Sequence, residues 1–201
     1  MCIRDRVYAA ARENGFAFAL EAARPGTVGS AGTEDSEDAS QQNLSLLDVA
    51  EAAERKARAA IGVSAVASKG LTLSLTPELR ALLEDASVPK HVHDWKQTLH
   101  ALKAQGVELR GAVDDTMLLS YALNPTHATQ ALADVAARNG QAAPTTPAAA
   151  ALAVSAMMPG LKAEVEKAGV ERVYREIDLP LAPVLFRMEE AGVRICLLYT
   201  S

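Results

Sequence analysis

Aromatic residues are scarce in this chain of 201 residues, at 4% of the total with a single tryptophan. A core must therefore rest on Ala, Leu and Val, and the Ala content favours helix. Cysteine is nearly absent. Cys2 and Cys196 stand at the two extremes, with neither metal-site spacing nor a disulfide framework, which fits a reducing cytoplasm. Strong positive charge is missing too. A net charge of −5 argues against a chain that grips nucleic acid over its whole surface, though not against a local basic face. No run of eighteen or more apolar residues occurs, so no membrane-spanning helix is expected. MCIRDR at the start lacks a hydrophobic signal region. There is no fixed-period repeat, no Gly-rich phosphate loop and no Ser/His/Asp set.

What is present suffices for one α/β domain with a sizeable core plus an appendage. The ends MCIRDR and CLLYTS resemble translated adapter sequence, so residues 1–6 and 196–201 are expected to be non-native. Between them, Phe16–Ala22 (FAFALEA) reads as a buried strand. Residues 24–43 are rich in Gly, Ser and acids and read as a flexible, solvated loop. Ser45–Ala60 has a helical pattern, with Leu46, Val49, Ala50 and Ala53 on one face. IGVSAVA (61–67) and LTLSL (71–75) form a hairpin around Ser68-Lys69-Gly70, with Gly70 supplying the turn.

Thr76-Pro77-Glu78 opens a helix that ends near Asp85, and 88–93 is a short strand. Asp94 caps the next helix, on which Trp95, Leu99 and Leu102 share a face; Gly106 stops it. A strand then leads into Asp114-Asp115-Thr116, where Asp115 or Thr116 caps a helix over 117–123. Further helices are expected over 129–138 and, after a Pro-interrupted linker at 140–147, over an Ala-rich stretch broken at Pro159-Gly160 and continuing to Ala168. In the last stretch Val170, Val173, Tyr174 and Ile177 share a helical face. Pro180 and Pro183 fit the first turn of a new helix carrying Val184, Leu185 and Met188, with Gly192 as its stop. The order of elements predicts a mixed α/β sheet with helices on its faces and a helical tail that begins a second domain.

Two stretches carry a family resemblance. KHVHDWKQTLHALKAQGVELRGAVDDTMLLSYALNP (90–125) resembles the middle of the 3′–5′ exonuclease domain of the bacterial DNA polymerase I family (family A). VERVYREIDLPLAPVLFRMEEAGVRI (170–195) resembles the junction helices that lead into that family's polymerase domain. The resemblance implies a ribonuclease H-like exonuclease fold over 7–168 and the start of a polymerase domain over 169–195. It also implies a parent DNA-directed DNA polymerase of replication and repair that uses Mg²⁺, binds a DNA primer–template, and is monomeric, cytoplasmic and free of membrane contact.

Nuclease chemistry of this class needs two divalent metals about 4 Å apart, and Mg²⁺ wants carboxylates. The family supplies them from Asp-x-Glu on the first strand, Asn-x-x-x-Asp on the helix after the middle strand, and Tyr-x-x-x-Asp on a late helix. By resemblance, Ala19 stands at the first Asp and Glu21 at the Glu, Asp94 at the Asn and Thr98 at the second Asp. Helix 148–161 has no Asp, Glu or Tyr. Glu21 and Asp94 thus remain as vestigial candidates, and no catalytic residue, metal site or cofactor is expected in this chain. Asp114 and Asp115, neighbours on a strand, face opposite ways. His91 and His93 share a strand face without an evident third metal ligand. His100 and His127 read as surface or packing residues and Trp95 as core or interface filler. Lys90, Lys96 and Lys103 could approach phosphates, although a solvated face is the plainer reading. Two rival functions stay open: an active exonuclease with an unorthodox site, for which Asp94 and Asp114 are candidates, and a non-enzymatic nucleic-acid-binding module.

Overall fold

A computed structural model describes residues 3–20, 60–66 and 69–192. The loop expected over 24–43, the helix expected over 45–60 apart from Ala60, Glu21, and both cysteines lie outside the described residues. Five strands form one mixed sheet in the order β3-β2-β1-β4-β5. They are β1 (Phe16–Leu20), β2 (Ile61–Val66), β3 (Lys69–Leu73), β4 (Lys90–Val92) and β5 (Val113–Asp115). Strand β2 runs antiparallel to its neighbours β1 and β3, whereas β4 lies parallel to both β1 and β5. Helix α1 (Ile3–Asn14), which the sequence reading did not anticipate, packs on β1 and β2. Helix α2 (Pro77–Glu84) begins as expected, with the Thr76 hydroxyl accepting from the Leu79 N–H and Pro77 in the first turn.

Strand alternation sorts β1 between two cores. Phe16 and Phe18 join Val7, Ile61, Leu79, Leu83 and Val113 on the side of α1 and α2. Ala17 joins Val154, Met157, Met158, Leu161 and Tyr174 on the other side. That second side is covered by α6 (Pro147–Lys167). Its backbone comes so close that a Cβ at Gly62 would lie 1.8 Å from the Pro147 carbonyl oxygen. A Cβ at Gly70 would lie 2.3 Å from that of Ala148. Gly70 therefore serves inside β3 as the place where a helix backbone fits, and does not make the hairpin turn. Helix α6 also runs through Pro159 without the expected break. Buried Met157 and Met158 before Pro159, with Leu161 and Val165 after it, hold the segment against the sheet at a cost of one backbone hydrogen bond. By length and composition α6 could cross a membrane, but these same side chains make it a core helix.

Polar groups inside the frame are closely matched. Lys90 is fully buried. Its ammonium donates to the carbonyls of Asp85 (2.5 Å), Val88 (2.8 Å) and Arg110 (2.6 Å), so its three N–H bonds meet three acceptors. This corrects the expectation that Lys90 could approach a phosphate. Helices α3 (Trp95–Lys103) and α4 (Thr116–Leu123) share one buried carboxylate. Asp115 accepts from the N–H groups of Asp94 (3.1 Å), Trp95 (2.7 Å) and Met117 (2.7 Å). Asp115, and not Thr116, is thus the cap of α4. Desolvation pushes its pKa up to about 6, against the pull of those three donors. His93 follows β4, and its Nε2 must carry a hydrogen to meet the Gln130 carbonyl at 3.0 Å, while Nδ1 faces the Thr116 hydroxyl at 2.9 Å. Burial pushes the His93 pKa down to about 4.

After α5 (Leu132–Arg138) and α6, the chain makes one helical turn (Glu171–Val173), a π-helical segment (Tyr174–Asp178) and α7 (Leu179–Ala191). The wider π turn shifts the side-chain phase. Tyr174 is buried, whereas Val173 and Ile177, expected on its face, are 46% and 59% exposed.

Lys90→Met, which keeps the length but removes the donors, leaves three carbonyls without a partner. It should cost about 3 kcal/mol of stability in urea unfolding; a loss below about 1 kcal/mol would contradict the buried staple. Asp115 and His93 give opposite pH dependences over the same window. The folded state holds a proton on Asp115 between about pH 4 and 6, so that term lowers stability as pH rises. The unfolded state protonates His93 over about pH 4 to 6.5, so that term raises it. Relative to the parent, His93→Gln should therefore lose roughly 2–3 kcal/mol as pH rises from 4 to 6.5. Parallel stability profiles for parent and variant would refute the assignment.

Candidate nuclease-type cleft

The carboxyl ends of the parallel strands β1 and β4 open into a cleft of about 950 Å³, where α/β sheets commonly receive ligands. Ala19 and Leu20 come from the end of β1. His93, Asp94, Gln97 and Thr98 come from the turn after β4 and the first turn of α3. Leu132 and Ala133 line it from α5, and Pro147 and Ala150 from the start of α6. The cleft thus collects three positions that the sequence reading weighed separately: Ala19, Asp94 and Thr98.

The side chains of Asp94, Thr98 and His93 each have a local task. Asp94 is the sole non-glycine residue with positive φ among the described residues, at 58°. Asp and Asn tolerate that left-handed geometry better than most residues. Its Oδ1 accepts from the Gln97 N–H at 3.1 Å, capping α3. Its carbonyl accepts from both the N–H and the hydroxyl of Thr98, at 3.0 and 2.9 Å. The Thr98 hydroxyl is therefore turned back onto its own helix. His93 spends both ring nitrogens on Thr116 and Gln130.

The donor set fits a pair of Mg²⁺ ions poorly. Such ions prefer several anionic oxygens, and of the cleft residues just described only Asp94 is a carboxylate. No group of three or more His, Cys, Asp or Glu that could hold a metal exists among the described residues. Glu21 lies outside them.

The other sequence candidates go elsewhere. Asp114 faces away from Asp115 and is engaged by Lys162 at 2.5 Å and by the Tyr174 hydroxyl at 3.1 Å. Tyr174 also accepts from the Asp115 N–H at 3.0 Å. Burial first, then the Asp114 charge, raises its pKa. His91 lies beside Lys162 and Asp114, and burial lowers its pKa. Trp95 is half-buried against the first core with its indole N–H unpartnered. His127 is exposed. Lys96, Lys103 and His100 face α7. Lys96 donates to Glu189 at 2.7 Å, and Lys103 pairs with Glu190. His100 sets Nε2 against Glu189 at 2.8 Å and Nδ1 against Glu190 at 3.1 Å. The sequence reading missed these pairings, although the Lys96/His100/Lys103 spacing and the Glu189-Glu190 dipeptide were there to suggest them.

Residues 60–146 match the family model described as DNA polymerase I, ribonuclease H-like domain. The chain is 30% identical over 135 residues to DNA polymerase I of Bacillus subtilis (strain 168), a match covering 56% of this chain and 15% of that protein. It is 33% identical over 144 residues to DNA polymerase I of Geobacillus stearothermophilus, covering 59% and 16%. Among solved structures it resembles the POL domain of Pol1 from M. smegmatis, in complex with DNA primer-template and dNTP. There the TM-score is 0.62 at 29% identity, over 70% of this chain and 27% of that one. The chain therefore spans roughly a sixth of the curated relatives it matches. With the mixed sheet, the flanking helices and the cleft at the strand ends, these similarities show that residues 60–146 resemble the ribonuclease H-like domain of bacterial DNA polymerase I.

Proposed function

We propose that this chain supplies a catalytically inactive 3′–5′ exonuclease-like domain, over 7–168, and the first helices of the polymerase domain, over 169–195, of a DNA-directed DNA polymerase. The inactive domain is a structural platform beside the polymerase domain. Primer extension on a DNA primer–template, with deoxynucleoside triphosphates and Mg²⁺, belongs to residues beyond 195 of a cytoplasmic, monomeric parent. The observation that carries the reading is the cleft itself, which brings Ala19 and Thr98 together where this chemistry needs carboxylates. The absence of Asp, Glu and Tyr from residues 147–161 of α6 supports it further. Exposed Ile177, Leu181, Val184 and Met188 on the last helical segments support a further domain packing there.

The rival reading, an active site assembled from Asp94 and Asp114, is disfavoured because Lys162 and Tyr174 already engage both Asp114 oxygens.

The expressed chain should release no nucleotides from single-stranded DNA with Mg²⁺ or Mn²⁺. Metal-dependent release that Glu21→Ala or Asp94→Ala abolishes would overturn the proposal. Adding carboxylates where the family has them gives a complementary test. Ala19→Asp combined with Thr98→Asp should tighten Mn²⁺ binding by about tenfold or more in isothermal titration calorimetry. An unchanged isotherm would mean that these two positions do not define a common metal site.

A further inference from the structure

Helix α7 is anchored before its first turn, weakened within it and pinned at its far end. The anchor is buried Tyr174, whose hydroxyl donates to Asp114 at 3.1 Å and accepts from the Asp115 N–H at 3.0 Å. Leu179 adds to it by packing against the second core. From there the backbone ladder is thin. The π-helical segment ends at Asp178, and Pro180 and Pro183 follow in the first turns of α7. Each proline removes a backbone donor, and prolines and π turns are where helices bend.

The far end is held by charge. Glu189 meets Lys96 at 2.7 Å and His100 at 2.8 Å, while Glu190 meets His100 at 3.1 Å and also Lys103. Phe186 adds an edge-on contact to the His100 ring, 4.7 Å between centroids, under the Lys103 ammonium. Little apolar burial supports these pairs. Ala182 is the one buried residue of α7. Leu181, Val184, Leu185 and Met188, spaced at i, i+3, i+4 and i+7, form a separate face that is exposed. Beyond the π-helical segment, α7 packs chiefly on α3. Partly exposed ion pairs stabilise little singly and are screened by salt, so this attachment can open without disturbing either core.

We propose that Lys96, His100 and Lys103 of α3 form with Glu189 and Glu190 of α7 a releasable ionic latch, and that α7 swings about its Pro180–Pro183 turn when the latch opens. Because α7 runs on to Gly192, the latch sets the direction in which the following residues leave the domain. It also sets where the apolar face of α7 points. The inference concerns the arm alone and holds whatever chemistry the cleft performs.

The test is pulsed electron–electron double resonance on the full chain, with Cys2→Ser and Cys196→Ser. Spin labels go on Ala137→Cys of α5 and Arg187→Cys of α7, both exposed positions. At low salt the parent should give one narrow distance distribution. Salt of about 1 M, where the screening length is about 3 Å, should add a second, displaced one. Combined Glu189→Gln and Glu190→Gln substitution should raise the ratio of released to latched arm at low salt by about tenfold and remove most of its salt dependence. Lys96→Gln with Lys103→Gln should do the same, and should add little to the α7 pair, since both sets break one contact. Pro180→Ala with Pro183→Ala should narrow the displaced distribution by stiffening the turn. A control pair, Ala137→Cys and Ala163→Cys on α6, should not move under any of these conditions. A distribution indifferent to salt and to both sets of substitutions overturns the proposal. So does movement of the control pair, which would mean that the domain itself loosens.

Discussion

The backbone of α6 lies directly on the sheet, and much of the remaining structure follows from that close approach. Gly62 and Gly70 leave room for the carbonyls of Pro147 and Ala148, and Ala17, paired with Ser64 on β2, keeps the face shallow. A chain poor in aromatics must fill its interior by such approach, since close packing tolerates few voids. The same approach sets the character of the cleft. Where α6 begins, Pro147 and Ala150 form one wall and Ala19 faces them from β1. Small neutral side chains thus serve the packing and leave Asp94 as the carboxylate of the cleft.

The opposite problem, burying charge, is solved by saturating it. The Lys90 ammonium has three carbonyls and the Asp115 carboxylate three N–H donors. Both belong to the short parallel strands β4 and β5, whose brief ladders contribute few hydrogen bonds of their own. Asp115 fixes the starts of α3 and α4 together, and α3 in turn places Asp94 and Thr98 in the cleft. A polar residue that the sequence offers as a helix cap is therefore also what sets the shape of the candidate site. On the other side of β5, Asp114 uses Lys162 and Tyr174 to tie the sheet to the helical segments that follow. The two adjacent aspartates accordingly do separate structural work, as strand alternation requires.

Much of the fold was legible where the governing physics is local. Thr76-Pro77, Asp94 and Asp115 announced their helices through capping, and Gly106, with a φ of 69°, ended α3. The helix through Pro159 was misread because the rule for proline is local, whereas burial of the methionines and leucine around it is not. The phase of residues 170–177 was misread because a π-helical segment breaks the 3.6-residue period on which the reading relied. Helix α1 lies outside the elements expected from the sequence, because it begins within the unusual N-terminal segment MCIRDR. In the cleft, the absence of carboxylates from positions 19, 98 and 148–161 was visible in the sequence. That the first two share one cavity was not.

By itself, then, the sequence determined the kinds of elements, their order, the family resemblance, and which chemical groups a nuclease-type site could not draw on. Those follow from local backbone preference and from residue identity. The tertiary structure alone decided where the charged side chains ended up. Lys90, Lys96 and Lys103 are indistinguishable as lysines, yet the first is sealed under carbonyls and the other two face carboxylates about ninety positions away. A side chain's charge carries no record of its distant partner, because that partner is brought within reach only when the helices pack.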